Sequence, residues 1–400
     1  MYQTDTTAQV YLGSRRVGTL GYRLGNTWFD YEDLDPDHPV LGQGFERDPR
    51  KQRTASGSVP EWFAGLLPET GSGLRQLVAA SLGKKKIHDF VLLCHAGEDL
   101  PGAVRVVPDS VLDDLPEHDG TREHRNEGDL RFSFAGVQPK FSMRFEGKAL
   151  VLPATGKGGD WMVKLADQRF PEVPENEYSM LRWAARSGID VPEICLEEGG
   201  VLRNLPRGVV TATGSVLAVR RFDRTSGGPV HQEDFAQIRE VSTDAKYDRA
   251  SYEGIGRAIG VLCPEEDVLE YVRRLVAMVL MGNADAHLKN WTLRYPDGHH
   301  ARLSPAYDLV CVAAYPELDA NLAFPLGGTR RSEAMTVDSF RPLARSLDAH
   351  EQEILAVVSE TVQAMLSSWP GIKQEFPVPG FVSRIVDKRL EALPLISSQG

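Results

Sequence analysis

The sequence predicts an α+β chain in which a β-rich part precedes a helical part, with a small α/β unit in front of both. Three observations carry this. From Asp129 to Phe222, short strand-like runs alternate with turn residues. After Asp223 the apolar positions recur at helical spacing over long segments. Before residue 115, three short strand-like runs lead through a Pro- and Gly-rich passage into helical patterns. Four hundred residues suffice for two or three units with their own cores. The expected division is 1–115, 116–223 and 224–400.

In the first unit, Val10–Gly13, Arg16–Leu20 and Thr27–Tyr31 read as strands, and Asp35–Pro60 as loop. Pro60–Pro68 is an apolar helical turn stopped by proline. Helices follow around Gly73–Leu82 and Ile87–His95, and nothing in this unit points to chemistry. Residues 115–128 are a polar linker. Leu130–Phe134, Lys140–Phe145, Ala149–Leu152 and Trp161–Leu165 predict an antiparallel meander. A helix over Glu175–Ser187 follows, stopped by Gly188, with Tyr178, Leu181, Ala184 and Ala185 as its apolar face. Val216–Phe222 is a further strand. Asp248–Leu262, Asp267–Met281, Val337–Ala344 and Ala349–Ser367 are helical.

Composition narrows the class. With 42% apolar and 25% charged residues and no biased tract, this is an ordinary globular chain. A net charge of −11 speaks against DNA binding through a broad basic surface of its own. Cys94, Cys195, Cys263 and Cys311 match no zinc spacing and sit in apolar contexts, as reduced thiols do. The start has no signal-peptide pattern and no run is long enough to span a bilayer. The expected location is the cytoplasm, without a membrane partner.

The chemistry concentrates between Gly282 and Asp308. Asn283-Ala-Asp-Ala-His-Leu-Lys-Asn290 contains D-x-x-x-x-N, the spacing of a protein-kinase catalytic loop, between an apolar helix and the strand Trp291–Leu293. A second carboxylate follows in Ser304-Pro-Ala-Tyr-Asp308. Phosphoryl transfer needs a carboxylate to orient the attacking hydroxyl, and a carboxylate with an amide oxygen to hold Mg²⁺ on the phosphates. Asn and Asp are also ordinary loop residues, so the spacing alone carries little weight. Two upstream features supply context. Lys164 ends an apolar strand, with Glu177 on the next helix as its expected partner and Glu175 as the alternative. Ser133–Lys140 is a small-residue loop between strands, suited to phosphate or simply to a tight turn. Other matches fail: Thr155-Gly-Lys-Gly lacks the rest of a phosphate-binding loop, Gly42-Gln-Gly lacks a third glycine, and His299-His300 reads as a hairpin tip.

Taken in order, these motifs resemble the HipA family of bacterial type II toxin–antitoxin serine/threonine kinases. Ser133–Lys140, Trp161–Lys164, Asn283–Asn290 and Ser304–Leu309 match its phosphate loop, lysine strand, catalytic loop and metal-binding segment. Phe63–Glu69 and Leu92–Ala103 resemble its additional N-terminal subdomain, so the likeness covers nearly the whole chain. The resemblance implies a two-lobed protein-kinase-like fold: a β-rich N-lobe with the extra subdomain, and an all-α C-lobe. It implies Asp285 as catalytic base, and Asn290 and Asp308 as Mg²⁺ ligands. ATP would meet Ala135, Gly136, Val137, Gln138, Lys140, Lys164, His287, Lys289 and Tyr307, with Arg220, Arg221 and Phe222 contacting adenine through backbone groups. Ser133 would be the autophosphorylation site, and Pro139 is a departure that removes one donor from the loop. The implied partners are a small helix-turn-helix antitoxin of HipB type, which makes most of the operator-DNA contact, and a protein substrate, an aminoacyl-tRNA synthetase in the best-known case. The alternatives are a catalytically weak corepressor acting with the antitoxin, and a small-molecule or lipid kinase.

Overall fold

The computed structural model describes residues 5–69, 75, 78–79, 83–110, 112, 140–153, 158–166, 169–205, 214–242, 245–248 and 250–398. The expected linker at 115–128, the strand Leu130–Phe134 and the loop 133–139, with Ser133, Ala135, Gly136, Val137 and Gln138, lie outside the described residues.

The N-terminal unit is an antiparallel sheet of β1 (Thr6–Leu12), β2 (Arg15–Arg23), β3 (Asn26–Tyr31), β4 (Arg53–Ser56) and β5 (Val104–Pro108), in the order β4-β3-β2-β1-β5. Its alternating apolar residues meet an aromatic cluster, with Phe29 and Phe63 ring centroids 4.7 Å apart. The passage 35–60 is not all loop. It contains the helix Gln43–Arg47 and β4. Phe45 is buried there under the Arg53 guanidinium, which donates to the Gly44 carbonyl at 2.6 Å. Such long-range packing overrides the weak local propensity of a Pro/Gly-rich stretch.

A second sheet contains β6 (Lys140–Glu146), β7 (Ala149–Val151), β8 (Trp161–Lys164), β9 (Ile194–Glu198), β10 (Leu202–Arg203) and β11 (Ser215–Arg220), in the order β10-β7-β6-β8-β11-β9. The expected meander is therefore corrected: β8 pairs with β6 rather than β7, and β10 joins β7 in parallel. Pairing β8 on β6 gathers Phe141, Met143, Trp161, Val163 and Ala218 into one apolar cluster. The helix Val173–Arg186 packs into a different core. Met180, Leu181, Trp183 and Ala184 join the C-terminal helices, while Tyr178 is half-buried and Ala185 exposed. Trp183 stacks 4.5 Å from Trp369 and donates to the Met365 carbonyl at 2.9 Å.

The C-terminal part is helical over Tyr252–Leu262, Glu265–Met281, Arg341–Ser346, Glu351–Glu375 and Gly380–Ala392. It is not purely α. After the short pair β12 (Arg224–Thr225) and β13 (Gly228–Pro229), a three-stranded sheet joins β14 (His231–Asp234), β15 (Thr292–Tyr295) and β16 (Arg302–Leu303). These strands are short, and β15 follows the Asn283–Asn290 segment. The helix Glu351–Glu375 passes through Pro370 instead of ending at Ser367, with Trp369 and Ile372 buried on either side of the proline. Among the described residues no helix is long and apolar enough to cross a membrane.

The N-terminal unit docks on the rest through buried polar contacts. Glu233, fully buried on β14, accepts from the Gln43 amide at 2.8 Å, Trp62 Nε1 at 3.2 Å and Tyr295 Oη at 2.7 Å. Burial outweighs these donors and raises the Glu233 pKa to about 7. A carboxyl raised in the folded state stabilises below its unfolded pKa, and that contribution is lost as pH rises through the folded value. Compared with wild type, Glu233→Gln should gain relative unfolding free energy as pH rises from about 4.5 to 7, by up to about 3 kcal/mol. Urea denaturation of both proteins across that range measures it; a pH-independent difference would contradict the buried, raised carboxyl.

Candidate active site

The helix Glu265–Met281 delivers the Asn283–Asn290 loop. It begins with Glu265, Glu266 and Asp267, which suit a helix N-terminus, and ends at Gly282 in the left-handed region at φ 72°. The Asn283 amide returns to the Met278 carbonyl at 2.9 Å, and Arg389 Nη2 takes the Val279 carbonyl at 2.6 Å. The helix end is thus fixed by its own turn and by a buried arginine. A Cβ on Gly282 would stand 2.9 Å from Ala313 Cβ.

Asn283 organises the loop beyond the helix. Its Oδ1 accepts the Asp285 amide at 3.1 Å, and its Nδ2 donates to the Asp308 carbonyl at 3.2 Å. Asn290 Nδ2 donates back to the Asp285 carbonyl at 3.0 Å, which leaves the Asn290 amide oxygen as the atom available to a ligand. Asp308 is a non-glycine residue at φ 53°, a conformation that costs on the order of 1–3 kcal/mol and clusters at functional sites. It is held there by the Asn283 contact and by Lys164.

Lys164 is the centre of the site. It is 6% exposed, and its Nζ donates to Glu177 Oε1 at 2.5 Å and also to Asp308 Oδ1. Burial works against its charge, but Asp308 and Glu177 outweigh that and hold its pKa above the ordinary lysine value. Burial also opposes the charge on Asp308; Lys164 and Lys140 prevail and keep that carboxyl well below its usual range. Glu177 is pushed up by burial. Next to it, Asn176 exchanges two hydrogen bonds with the Cys311 backbone, at 3.2 and 3.0 Å. The glutamate helix and the Asp308 segment are therefore locked together.

Lys164, Asn290 and Asp308 border a cleft of about 420 Å³ between the second sheet and the C-terminal part. Lys140, Lys164, Arg220, Arg221, Phe222, His287, Lys289, Asn290, Tyr307 and Asp308 all line it. Phe222 and Tyr307 make an aromatic wall with centroids 5.6 Å apart, and Tyr307 Oη donates to the Lys289 carbonyl at 2.8 Å. His287 is buried, and neither ring nitrogen has a hydrogen-bond partner among the described residues. Burial, with Lys246 nearby, depresses its pKa well below the ordinary value, so the ring is neutral. Glu177 lies behind Lys164, and Glu175, half-buried, is not its partner.

Two of the backbone groups expected at the adenine are already engaged. The amides of Arg220 and Arg221 are spent on the Glu193 and Asp160 carbonyls, at 2.8 and 2.9 Å. The Arg221 side chain is committed to Asp99, Ser142 and Asp223. All three residues line the cleft, Phe222 beside Tyr307. The first unit, expected to carry no chemistry, also contributes. Gly65–Glu69 and Asp99–Pro101 line the cleft, Lys289 donates to the Gly65 carbonyl at 3.3 Å, and Lys246 pairs with Glu69 at 2.7 Å. Two further residues emerge only in three dimensions: Asp234, a buried helix cap lining the cleft, and Tyr247, whose hydroxyl donates to Asp285 Oδ1.

Comparisons with known proteins agree with this geometry. The HipA N-terminal domain profile matches residues 8–107, and the HipA-like C-terminal domain profile matches residues 132–369. A candidate kinase of Sinorhizobium fredii, Y4dM, is 38% identical over 402 residues, covering 98% of both chains. The serine/threonine-protein kinase toxin HipA of Shewanella oneidensis is 26% identical over 374 residues, 80% of this chain and 78% of that one. In fold, the chain is similar to HipA in the Shewanella oneidensis HipA–HipB–operator DNA complex, with a TM-score of 0.71 at 21% identity over 96% of each chain. A fold of the two-lobed kinase kind is thereby established.

Gly282 is the hinge on which the loop is delivered. Gly282→Ala should lower stability by about 1–2 kcal/mol from the left-handed conformation alone, with more from the Ala313 contact. The urea midpoint measures this, and an unchanged midpoint would show that the turn can relax.

Proposed function

This chain belongs to the HipA family, and we propose that it is an ATP-dependent serine/threonine protein kinase acting as the toxin of a type II toxin–antitoxin module. The observation that carries the reading is Lys164 held between Glu177 and Asp308 at the wall of a cleft that also presents Asn290, Lys289 and Lys140. Kinases place a strand lysine, a helix glutamate and a metal-binding aspartate in this relation.

The donor set fits Mg²⁺. Asn290 and Asp308 offer oxygen only, few in number, as suits an ion that keeps waters and takes phosphate oxygens as its other ligands. When bound, Mg²⁺ neutralises charge on the β- and γ-phosphates. Lys164 binds the α- and β-phosphates, and Lys140, Lys289 and the neutral His287 line their path. The Phe222–Tyr307 wall takes the adenine. Asp285 accepts the proton of the attacking serine or threonine hydroxyl as its oxygen bonds to the γ-phosphorus and the bond to ADP breaks. Ala135–Gln138 would contact the phosphates. A phosphate on Ser133 would place negative charge beside a phosphate-binding loop and silence the enzyme. A HipB-like helix-turn-helix antitoxin would carry the contact with operator DNA, consistent with the −11 charge of this chain. An aminoacyl-tRNA synthetase is the substrate type that the family suggests.

Two outcomes test this. Asp285→Asn should lose at least about 10²-fold in phosphoryl transfer while binding Mg²⁺–ATP as wild type does. Retained transfer would overturn the assignment. Ser133→Ala, incubated with Mg²⁺ and ATP, should keep its nucleotide affinity while wild type loses it as phosphate accumulates by intact mass. Equal loss in both would place the regulatory serine elsewhere.

A further inference from the structure

Resting on the kinase reading, we infer that Tyr247 is the positioning residue of Asp285, braced from the N-terminal unit through the Glu69–Lys246 ion pair. The Tyr247 hydroxyl donates to Asp285 Oδ1 from 38 residues upstream. A carboxylate that accepts from a fixed phenol on one oxygen cannot spin freely, and this sets the direction from which it meets the acceptor hydroxyl. The tyrosine is itself fixed. Its ring stands edge-on to His287, with centroids 5.1 Å apart and planes at 81°. The preceding residue, Lys246, accepts the Leu288 amide on its carbonyl at 3.3 Å. Residues 246–247 thus touch the loop at Asp285, His287 and Leu288.

The brace runs outward through the Lys246 side chain. It is 5% exposed, and its Nζ meets Glu69 Oε1 at 2.7 Å. A buried ammonium is tolerated only when paired, and Glu69 is one of the groups that hold residue 246 in place. Glu69 follows the Gly65–Pro68 wall of the cleft, where the Gly65 carbonyl also receives Lys289 Nζ. The N-terminal unit therefore grips the catalytic loop at Lys289 directly and at Asp285 through Tyr247.

The test is a set of full-length variants assayed for transfer of labelled γ-phosphate from ATP to the chain itself and to casein. Tyr247→Phe should lower kcat by about 10²-fold, the usual effect of a slight misplacement of a reacting group, with KM for ATP and Mg²⁺–ATP affinity within about twofold of wild type. In the Asp285→Asn background the same change should have no further effect, because the two residues act as one unit. Glu69→Gln should lower kcat by a smaller factor, again without weakening nucleotide binding. A Tyr247→Phe protein with wild-type kcat, or one whose nucleotide affinity and melting temperature fall together with kcat, overturns the inference and leaves the kinase reading standing. A wild-type protein that transfers no phosphate overturns both.

Discussion

A single buried ammonium sets the terms for the rest of this structure. Lys164 cannot lie at 6% exposure without compensation, since a lone buried charge costs several kcal/mol even after the protein relaxes. Its two partners come from different parts of the chain: Glu177 from the helix that roots in the C-terminal core, and Asp308 from the segment after β16. Satisfying one lysine therefore fixes the sheet, the helix and the Asp308 segment relative to one another. The Asn176–Cys311 exchange beside it repeats the constraint with neutral groups. Removing either carboxylate would still leave the ammonium one partner, whereas removing the ammonium would take from both carboxylates the cation they share.

The N-terminal unit is bound into the same logic. It contacts the second sheet and connecting segment through Asp99, Arg221 and Arg224, β14 through Glu233, the Asn283–Asn290 loop through Gly65, and Lys246 through Glu69. Most of these contacts are buried and polar, so they are specific in register and costly to break singly. An N-terminal unit held this way is a wall of the cleft as much as a neighbouring domain.

The features legible in the sequence are those set by local pattern. Strands β1–β3, β6 and β8, the helix Glu265–Met281, and the order of Lys164, Asp285, Asn290 and Asp308 all lie in short segments with their own period or spacing. The strand order does not, because β8 chooses β6 over its sequence neighbour to complete an apolar face, and that choice depends on β11. The spent amides of Arg220 and Arg221 depend on partners at Glu193 and Asp160, which no spacing rule connects. Tyr247 sits in a stretch without any motif, and Glu69 closes one that read only as part of the N-terminal subdomain; Tyr247 reaches Asp285, and Glu69 reaches Lys246, only because the chain folds them together. Gly282 is legible in another sense, since a glycine after a long apolar helix is the usual left-handed stop.

The most direct measurement is a crystal structure with Mg²⁺ and a non-hydrolysable ATP analogue. The prediction is a nucleotide in the 420 Å³ cleft, its base against Phe222 and Tyr307, its phosphates at Lys164, and a cation held by Asn290 and Asp308. Density for the nucleotide elsewhere, or phosphates bound while Asp308 stays on Lys164 and no cation is held, would contradict the assignment of this cleft to phosphoryl transfer.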